Sequence, residues 1–181
     1  MTSRLTVTAF CGMRAGAKPA YCTAASDLGR HFAAHDITLI FGGGQVGVMG
    51  ALADAALAGG GQVVGVAPQF IKQAEELHPR ATQMITVPDM QARKRYMFDN
   101  ADAFCILSGG LGTLDELFAV VTLRQLKQHY KPIILLNTSN FWDPLLALLD
   151  SLLVEGFIHE THAKLLTVVQ HPEDVISALL A

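Results

Sequence analysis

The stretch that decides the fold is Ser108-Gly109-Gly110-Leu111-Gly112-Thr113-Leu114-Asp115-Glu116. It follows a short apolar run at residues 103–107, which predicts a buried strand, and precedes an apolar segment at residues 114–126, which predicts a helix,. A glycine-rich turn between a strand and a helix brings backbone N–H groups together at the positive end of the helix dipole. The stretch therefore predicts an anion site, with the carboxylate of Glu116 in the first helical turn beside it.

The same alternation of strand and helix continues along the whole 181-residue chain. Apolar runs predict strands at residues 5–10, 37–41, 62–67, 82–87, 103–107, 132–136 and 165–169,. Helix-like segments lie at residues 20–35, 48–58, 89–100, 113–128, 144–155 and 172–180. Because the strand segments are continuously hydrophobic, we expect helices on both of their faces. The pattern predicts an α/β fold, a doubly wound parallel sheet flanked by helices, as a single domain over residues 1–181.

Composition narrows the class of protein. The net charge is −3 and no basic block is present, which argues against a nucleic-acid partner,. No apolar stretch reaches the roughly 18–20 residues of a membrane span, and no signal-peptide pattern is present, so we expect no membrane partner. The cysteines Cys11, Cys22 and Cys105 are widely spaced, which favours a reducing, cytoplasmic location,.

Two features indicate that the chain forms a homo-oligomer. The mean hydropathy is +0.35, which is high for a monomer and indicates an apolar face that a partner subunit covers,. The predicted helix at residues 114–126 is apolar nearly all round, so more than the sheet must cover it,. Packing against the same helix of a second subunit is a simple solution.

The seven histidines do not form a recognisable metal site. His31 and His35 lie on one predicted helix, and His159 and His162 are also close in sequence, but neither pair has a third ligand at a fitting spacing,. A Ser–His–Asp hydrolase is disfavoured because no G-x-S-x-G elbow is present. We therefore expect no metal and no other cofactor.

A second glycine cluster, Gly42-Gly43-Gly44-Gln45-Val46-Gly47-Val48-Met49-Gly50, also follows a predicted strand. It contains G-x-G-x-x-G, but the next strand ends in Pro68-Gln69-Phe70 rather than in the acidic residue that binds a dinucleotide ribose,. Two interpretations remain open. Either the backbone closely approaches a mononucleotide or the neighbouring loop, or the glycines only make a tight turn.

A basic helix start is the third motif. Met90-Gln91-Ala92-Arg93-Lys94-Arg95 follows Asp89, which is the expected N-cap,. One face of this helix, cationic in the middle and apolar at its ends, carries Met90, Arg93, Lys94 and Met97,. A solvated basic face is one interpretation. The apolar ends favour the other, in which the Arg93 guanidinium lies at the sheet edge and binds phosphate or sugar hydroxyls as a rigid fork.

Glu116 and Arg14 each have a structural as well as a functional interpretation. Thr113-Leu114-Asp115-Glu116 matches a capping box, in which Glu116 would bond back to the first backbone N–H of the helix,. Arg14 lies in the loop Cys11-Gly12-Met13-Arg14-Ala15-Gly16 after the first strand. There it either reaches a ligand phosphate or is simply an exposed surface arginine.

Three motifs in order make the chain resemble the Lonely-guy family of cytokinin riboside 5′-monophosphate phosphoribohydrolases, whose older label is lysine decarboxylase-like. They are the G-G-G-x-x-G-x-M-G turn at residues 42–50, the M-x-x-R-K helix start at residues 90–94, and P-G-G-x-G-T-x-x-E at residues 108–116. Further similarity at residues 122–132, 135–137 and 155–158 extends the resemblance over nearly the whole chain. Ser108 replaces the usual Pro, and Met13-Arg14 replaces the usual Ser-Ser.

The resemblance implies a Rossmann-like fold, a homodimer or a higher assembly of dimers, and cleavage of a nucleotide N-glycosidic bond. Arg93 and Glu116 fall on the catalytic positions of the family. The positions implied to bind the substrate and its phosphate are Gly43, Gly44, Met90, Lys94, Gly109, Gly110, Leu111, Gly112 and Thr113. The departure at Met13-Arg14 concerns recognition of the base more than the type of reaction.

The sequence thus predicts a hydrolase that converts a nucleoside 5′-monophosphate to free base and ribose 5-phosphate. Glu116 would stabilise the positive charge that develops on the ribose or activate water, and Arg93 would position the phosphosugar. The alternative is a nucleotide-binding carrier or sensor that uses the same turns without turnover. Glu116 discriminates between the two, because a pure binder of an anion gains little from a nearby negative group.

Overall fold

Seven strands form one parallel sheet in the computed structural model, which describes residues 4–74 and 77–181. The strands are β1 (Thr6–Phe10), β2 (Thr38–Phe41), β3 (Val63–Pro68), β4 (Gln83–Val87), β5 (Ala103–Ile106), β6 (Ile133–Leu136) and β7 (Thr167–Val169). Their order across the sheet is β4-β3-β2-β1-β5-β6-β7, and every neighbouring pair is parallel. The predicted strands and the doubly wound parallel sheet are confirmed.

Helices connect the strands and cover the sheet. They are α1 (Ala20–Ala34), α2 (Gly47–Ala58), α3 (Gln69–Ala74), α4 (Met90–Asp99), α5 (Leu111–Gln125), α6 (Asp143–Val154), α7 (Glu160–Ala163) and α8 (Pro172–Leu180), with a 3₁₀ turn at Thr138–Asn140. The six predicted helices are present. The sequence did not predict α3, α7 or the 3₁₀ turn, because segments this short carry no periodic pattern. Within the described residues, no helix is both long enough and apolar enough to cross a membrane.

Two hydrophobic cores lie on opposite faces of the sheet. Leu28 of α1 and Leu52 of α2 are fully buried in the first core, which α8 completes. Leu117 of α5 belongs to the second core, with side chains of α4 and α6. Successive strand residues alternate between the cores, so that Phe104 lies in the second and Cys105 in the first,. This two-sided burial explains why the strand segments are apolar without alternation.

The direction in which successive strands are added to the sheet reverses beside β1, and this reversal determines where the site lies. The chain moves from β1 to β2, β3 and β4 on one side, and then crosses to β5, β6 and β7 on the other. The loops that follow β2, β1 and β5 therefore leave the same edge of the sheet from three adjacent strands. The loop after β2 contains the glycine cluster at residues 42–50, the loop after β1 contains Arg14, and the loop after β5 contains the glycine cluster at residues 108–112. Ligands of open α/β sheets bind at such a switch point.

The start of α5 corrects the prediction for Glu116. The helix begins at Leu111, and its N-cap is Gly110 rather than Thr113. Thr113 is therefore inside the first turn and cannot cap the helix, so the capping-box interpretation is wrong. Glu116 lies in the second turn, not in the first turn as the sequence predicted. The helix therefore includes the last residues of the glycine turn and begins closer to the sheet than the apolar pattern indicated.

Candidate active site

Three loops are tied together at the carboxyl edge of the central strands. The Gly12 N–H, after β1, donates a 3.0 Å hydrogen bond to the Ser108 carbonyl, after β5. The Gly12 carbonyl accepts a 3.0 Å hydrogen bond from the Met49 N–H, in the first turn of α2. One residue thus links the segments that follow β1, β2 and β5.

Glycines allow these backbones to approach one another closely. A Cβ on Gly109 would clash with the Thr113 side chain and would lie 2.9 Å from the Gly12 nitrogen. A Cβ on Gly47 would clash with the Met13 carbonyl, and Gly47 also has a φ of +66°, which favours glycine,. The second glycine cluster therefore makes a close approach to the neighbouring loop, as one of its two interpretations predicted.

A cavity of about 430 Å³ opens between these loops and the helices α4 and α5. Four charged side chains from three segments line it: Arg14, Arg93, Asp115 and Glu116. Of the residues predicted to bind substrate or phosphate, those that line it are Met90, Gly109, Gly110, Gly112 and Thr113. Both predicted catalytic residues thus share one cavity with the predicted phosphate turn.

The N-terminus of α5 provides an anion site in this cavity. The helix has 15 residues, and no side-chain hydrogen bond caps it among the described residues. Its first backbone N–H groups have no partner within the helix and are available to a ligand. A phosphate at this end of the helix would be bound by these N–H groups and favoured by the helix dipole.

Arg93 and Glu116 form a buried ion pair across the cavity from α4 to α5. Their Nη2 and Oε1 atoms are 3.6 Å apart, and each side chain is only 9% exposed. At this distance the contact is electrostatic rather than a hydrogen bond. The Arg93 Nε, which is also buried, has no hydrogen-bond partner in the described part of the chain. The pair therefore retains donor capacity that a ligand can use.

The second glycine cluster supports Arg93 directly. A Cβ on Gly42 would clash with the Arg93 guanidinium, so the absence of a side chain at Gly42 makes room for the cation. Gly109 and its neighbours line the cavity, whereas Gly42 lies behind the arginine that faces the cavity.

Burial sets the protonation of Glu116. Desolvation raises the pKa of its carboxyl from 4.5 to about 7, and the nearby Arg93 opposes this rise,. A carboxyl with a pKa near neutrality exists in both forms at physiological pH. It is therefore suited to accept and return a proton, which an ordinary exposed glutamate is not.

Lys94 lies outside this cavity. Its ammonium donates to both carboxylate oxygens of Asp115, at 3.0 and 3.1 Å. It lines a neighbouring groove of about 690 Å³ between α4 and α5, which shares Asp115 and Glu116 with the first cavity. The structure thus places Lys94 where it neutralises Asp115.

Three other predicted binding residues also lie away from the cavity wall. Gly43 accepts a 2.8 Å hydrogen bond on its carbonyl from the His78 N–H, and Gly44 contacts the Met49 sulfur through its N–H at 3.2 Å. Leu111 is 85% exposed. In the structure the two glycines bond to His78 and Met49, and the Leu111 side chain faces solvent.

The apolar wall of the cavity was not predicted from the sequence. Tyr21 of α1 and Phe141, after the 3₁₀ turn, both line it and stack edge to face at 5.4 Å. Neither residue belongs to a motif, so no sequence signal connects them. Cys11 also lines the cavity, but burial raises the pKa of its thiol strongly, which keeps it from acting as a nucleophile,.

Comparisons with known proteins agree with the three sequence motifs. A family model described as "Possible lysine decarboxylase" matches residues 49–179. A cytokinin riboside 5′-monophosphate phosphoribohydrolase from Rhodococcoides fascians is 41% identical over 174 residues, which are 96% of this chain and 88% of that protein. The chain belongs to the Lonely-guy family. A member from Arabidopsis thaliana is 37% identical over 170 residues, which are 94% of this chain and 80% of that protein.

Solved structures confirm the fold of this Lonely-guy protein. The molybdenum cofactor carrier protein from Chlamydomonas reinhardtii is 21% identical with a TM-score of 0.74, covering 98% of this chain and 96% of that chain. The molybdenum cofactor binding protein from Rippkaea orientalis is 22% identical with a TM-score of 0.74, covering 100% of both chains. At such identities the likeness concerns the fold alone.

Proposed function

We propose that this protein hydrolyses the N-glycosidic bond of a nucleoside 5′-monophosphate and releases free base and ribose 5-phosphate. The observation that carries the proposal is the buried Arg93–Glu116 pair, 3.6 Å apart, in one cavity with the N-terminus of α5. The printed names of the relatives, which are phosphoribohydrolases of a cytokinin riboside 5′-monophosphate, support the same reaction.

The N-terminus of α5 anchors the substrate through its phosphate. Backbone N–H groups around Gly110 and Thr113 bind the phosphate oxygens, and the helix dipole favours their charge. The anchored ribose then extends toward Arg93 and Glu116, which line the same cavity. Fixing the sugar in this way lowers the entropic part of the barrier.

Glu116 and water complete the reaction. As the bond between the ribose C1′ and the base nitrogen breaks, its electron pair leaves with the base and positive charge develops on the sugar. The ionised Glu116 stabilises that charge and takes a proton from the water that attacks C1′. This proton is returned to the departing base, so that Glu116 is ionised again and no net proton is lost.

Arg93 positions the sugar and favours the ionised form of Glu116. A guanidinium remains charged at all relevant pH values, so it does not serve as a proton donor to the base. Its buried Nε–H and its distance of 3.6 Å from Glu116 leave donors for the ribose hydroxyls. A carrier that only bound an anion would be weakened by a buried carboxylate, which favours the hydrolase over the carrier.

Ribose 5-phosphate release tests this function. Wild-type protein is expected to release it from AMP or from isopentenyladenosine monophosphate, and the comparison of the two identifies the preferred base. Glu116→Gln removes the charge at constant size and is expected to lower kcat by at least about 100-fold. Glu173→Gln, at an exposed glutamate of α8, is the matched control. Equal turnover by wild type and Glu116→Gln would refute the role of Glu116.

We also propose a homodimer that packs through α5. Phe118 on this helix and Leu126 at its C-cap are 40% and 60% exposed, and Phe118 lines the groove of about 690 Å³. Packing of a second subunit here would cover apolar surface and close the groove next to Glu116. Sedimentation velocity should show a dimer for wild type and a monomer for Phe118→Glu. A wild-type monomer at micromolar concentration would contradict this assembly.

A cytoplasmic location is proposed as well. Cys11 and Cys105 are buried free thiols and Cys22 is a partly buried one, as expected for a protein of a reducing compartment,. Fractionation of the native cells checks this location, and recovery outside the cytoplasmic fraction would contradict it.

A further inference from the structure

Arg14 is a cation at the wall of the cavity, and it has no partner among the residues that the structure describes. Its side chain is exposed and lines the cavity of about 430 Å³. Across residues 4–74 and 77–181, its guanidinium forms no hydrogen bond and no ion pair. The other arginine of the cavity, Arg93, is held by Glu116 at 3.6 Å. Arg14 therefore has all of its donors available to a ligand.

A phosphate bound in this cavity needs a further cation to offset its charge. Two carboxylates, Asp115 and Glu116, line the cavity and would repel a phosphate. Lys94 binds Asp115 from the neighbouring groove, and Arg93 faces Glu116, so each of these cations already offsets one carboxylate. A phosphate carries a charge of about −1.5 to −2 at pH 7, and Arg14 is the remaining cation among the described residues of the wall.

The backbone brings Arg14 next to the phosphate turn. A Cβ on Gly12 would lie 3.2 Å from the Gly109 Cα, so the two turns are in contact. Arg14 is two residues beyond Gly12, which limits the distance between their Cα atoms to about 7.6 Å. The extended arginine side chain spans a similar length. Its guanidinium can therefore reach a phosphate bound at the start of α5.

The loop that carries Arg14 is held in place. Gly12 is bonded to both neighbouring segments, and the Met13 carbonyl packs against Gly47. Gly16 has a φ of +74° and lies against the Tyr21 ring, where a Cβ would lie 2.7 Å from that ring. Anchors on both sides of Arg14 fix its backbone, so the residue is presented to the cavity by packed structure.

We propose that Arg14 binds the 5′-phosphate of the substrate, as a fork opposite the backbone N–H groups of α5. This inference deepens the proposed function and rests on it for the identity of the ligand. The guanidinium supplies a charged fork of donors to the phosphate, and the backbone N–H groups at the start of α5 supply neutral donors from the other side.

Calorimetric titration of AMP, ribose 5-phosphate and adenosine tests the proposal without requiring turnover. Arg14→Gln is expected to weaken binding of AMP and of ribose 5-phosphate by about 10- to 100-fold and to leave adenosine binding unchanged. Arg14→Lys, which keeps the charge but not the fork, should fall between wild type and Arg14→Gln. In turnover, Arg14→Gln should raise KM for AMP by the same factor, with kcat within about threefold of wild type.

Lys18→Gln is the matched control, because Lys18 is an exposed cation of the same connection that does not line the cavity. It should bind all three ligands as the wild type does. Unchanged AMP binding by Arg14→Gln would overturn the inference, and so would an equal loss of adenosine binding. If wild type binds AMP with dependence on Arg14 but does not hydrolyse it, the hydrolase proposal fails and the phosphate contact stands.

Discussion

Replacing Glu116 by Gln shows how burial of this carboxyl makes the free energy of unfolding depend on pH. Its pKa is about 7 in the folded protein, against an ordinary value of 4.5. A group whose pKa is raised by folding binds its proton more tightly in the folded state. Its stabilising contribution is complete below pH 4.5 and is lost as the pH rises through 7,. From pH 5 to pH 8, this group alone lowers the free energy of unfolding of the wild type by about 2 kcal/mol.

Urea unfolding of wild type and Glu116→Gln at several values between pH 5 and pH 8 measures this contribution. Gln does not titrate, so the variant gains about 2 kcal/mol relative to wild type as the pH rises. The contact of the ionised carboxylate with Arg93 is already contained in this figure, because Arg93 is one of the groups that set the pKa of Glu116. Any other difference between the Glu and Gln side chains changes the stability of the variant by an amount that does not depend on pH. Other titrating groups are common to both proteins and cancel.

Glu173→Gln provides the control for this experiment, because Glu173 is an exposed glutamate on α8. The free energy of unfolding of the Glu173→Gln variant should run parallel to that of wild type from pH 5 to pH 8. If the Glu116→Gln curve also runs parallel to wild type, Glu116 has an ordinary pKa in the folded protein. The proposed match between its pKa and neutral pH would then be refuted.

Three further predictions concern activity and the helix starts. The kcat/KM for AMP should rise with pH up to about 7 and level off above it, because the ionised form of Glu116 is the base, and a flat profile from pH 6 to pH 8.5 would contradict this,. Gly109→Ala should lower kcat/KM at least about tenfold, since the new methyl group clashes with Thr113,. Unchanged kinetics would show that the turn has room for it. Asp89→Ala removes the 2.8 Å N-cap bond to the Ala92 N–H and should lower the free energy of unfolding by about 1 kcal/mol in urea titrations,. A change below about 0.3 kcal/mol would mean that this cap contributes little.

The sheet and the meeting of its loops could be predicted from the sequence because each depends on local pattern and on a general rule. Strands buried on both faces must be apolar throughout, as at Phe104 and Cys105, and this pattern is visible in the chain,. Parallel strands then bring their carboxyl ends to one edge. The family motifs add Arg93 and Glu116, which the fold places in one cavity.

The start of α5 could not be predicted in this way. Thr113 and Glu116 satisfy the spacing of a capping box, and local spacing is all that the sequence offers,. In the fold, Thr113 lies against Gly109, the two residues before Thr113 are helical, and the N-cap is Gly110. Tertiary contact between the turn and the loop at Gly12 thus decides a boundary that local preference assigned differently.

The burial of Glu116 favours a chemical role for this residue over a purely structural one. Removal of a carboxylate from water destabilises its ionised form, and a partner 3.6 Å away compensates this only in part, as the raised pKa shows,. Two further buried polar atoms at the cavity, the Arg93 Nε and the Ser108 Oγ, lack hydrogen-bond partners among the described residues. Each costs about 1–3 kcal/mol when left unpaired. A cavity that served only stability would not keep these three features together. A substrate would use all of them, because its ribose hydroxyls and phosphate supply the missing acceptors, and the positive charge that develops on its ribose is offset by Glu116.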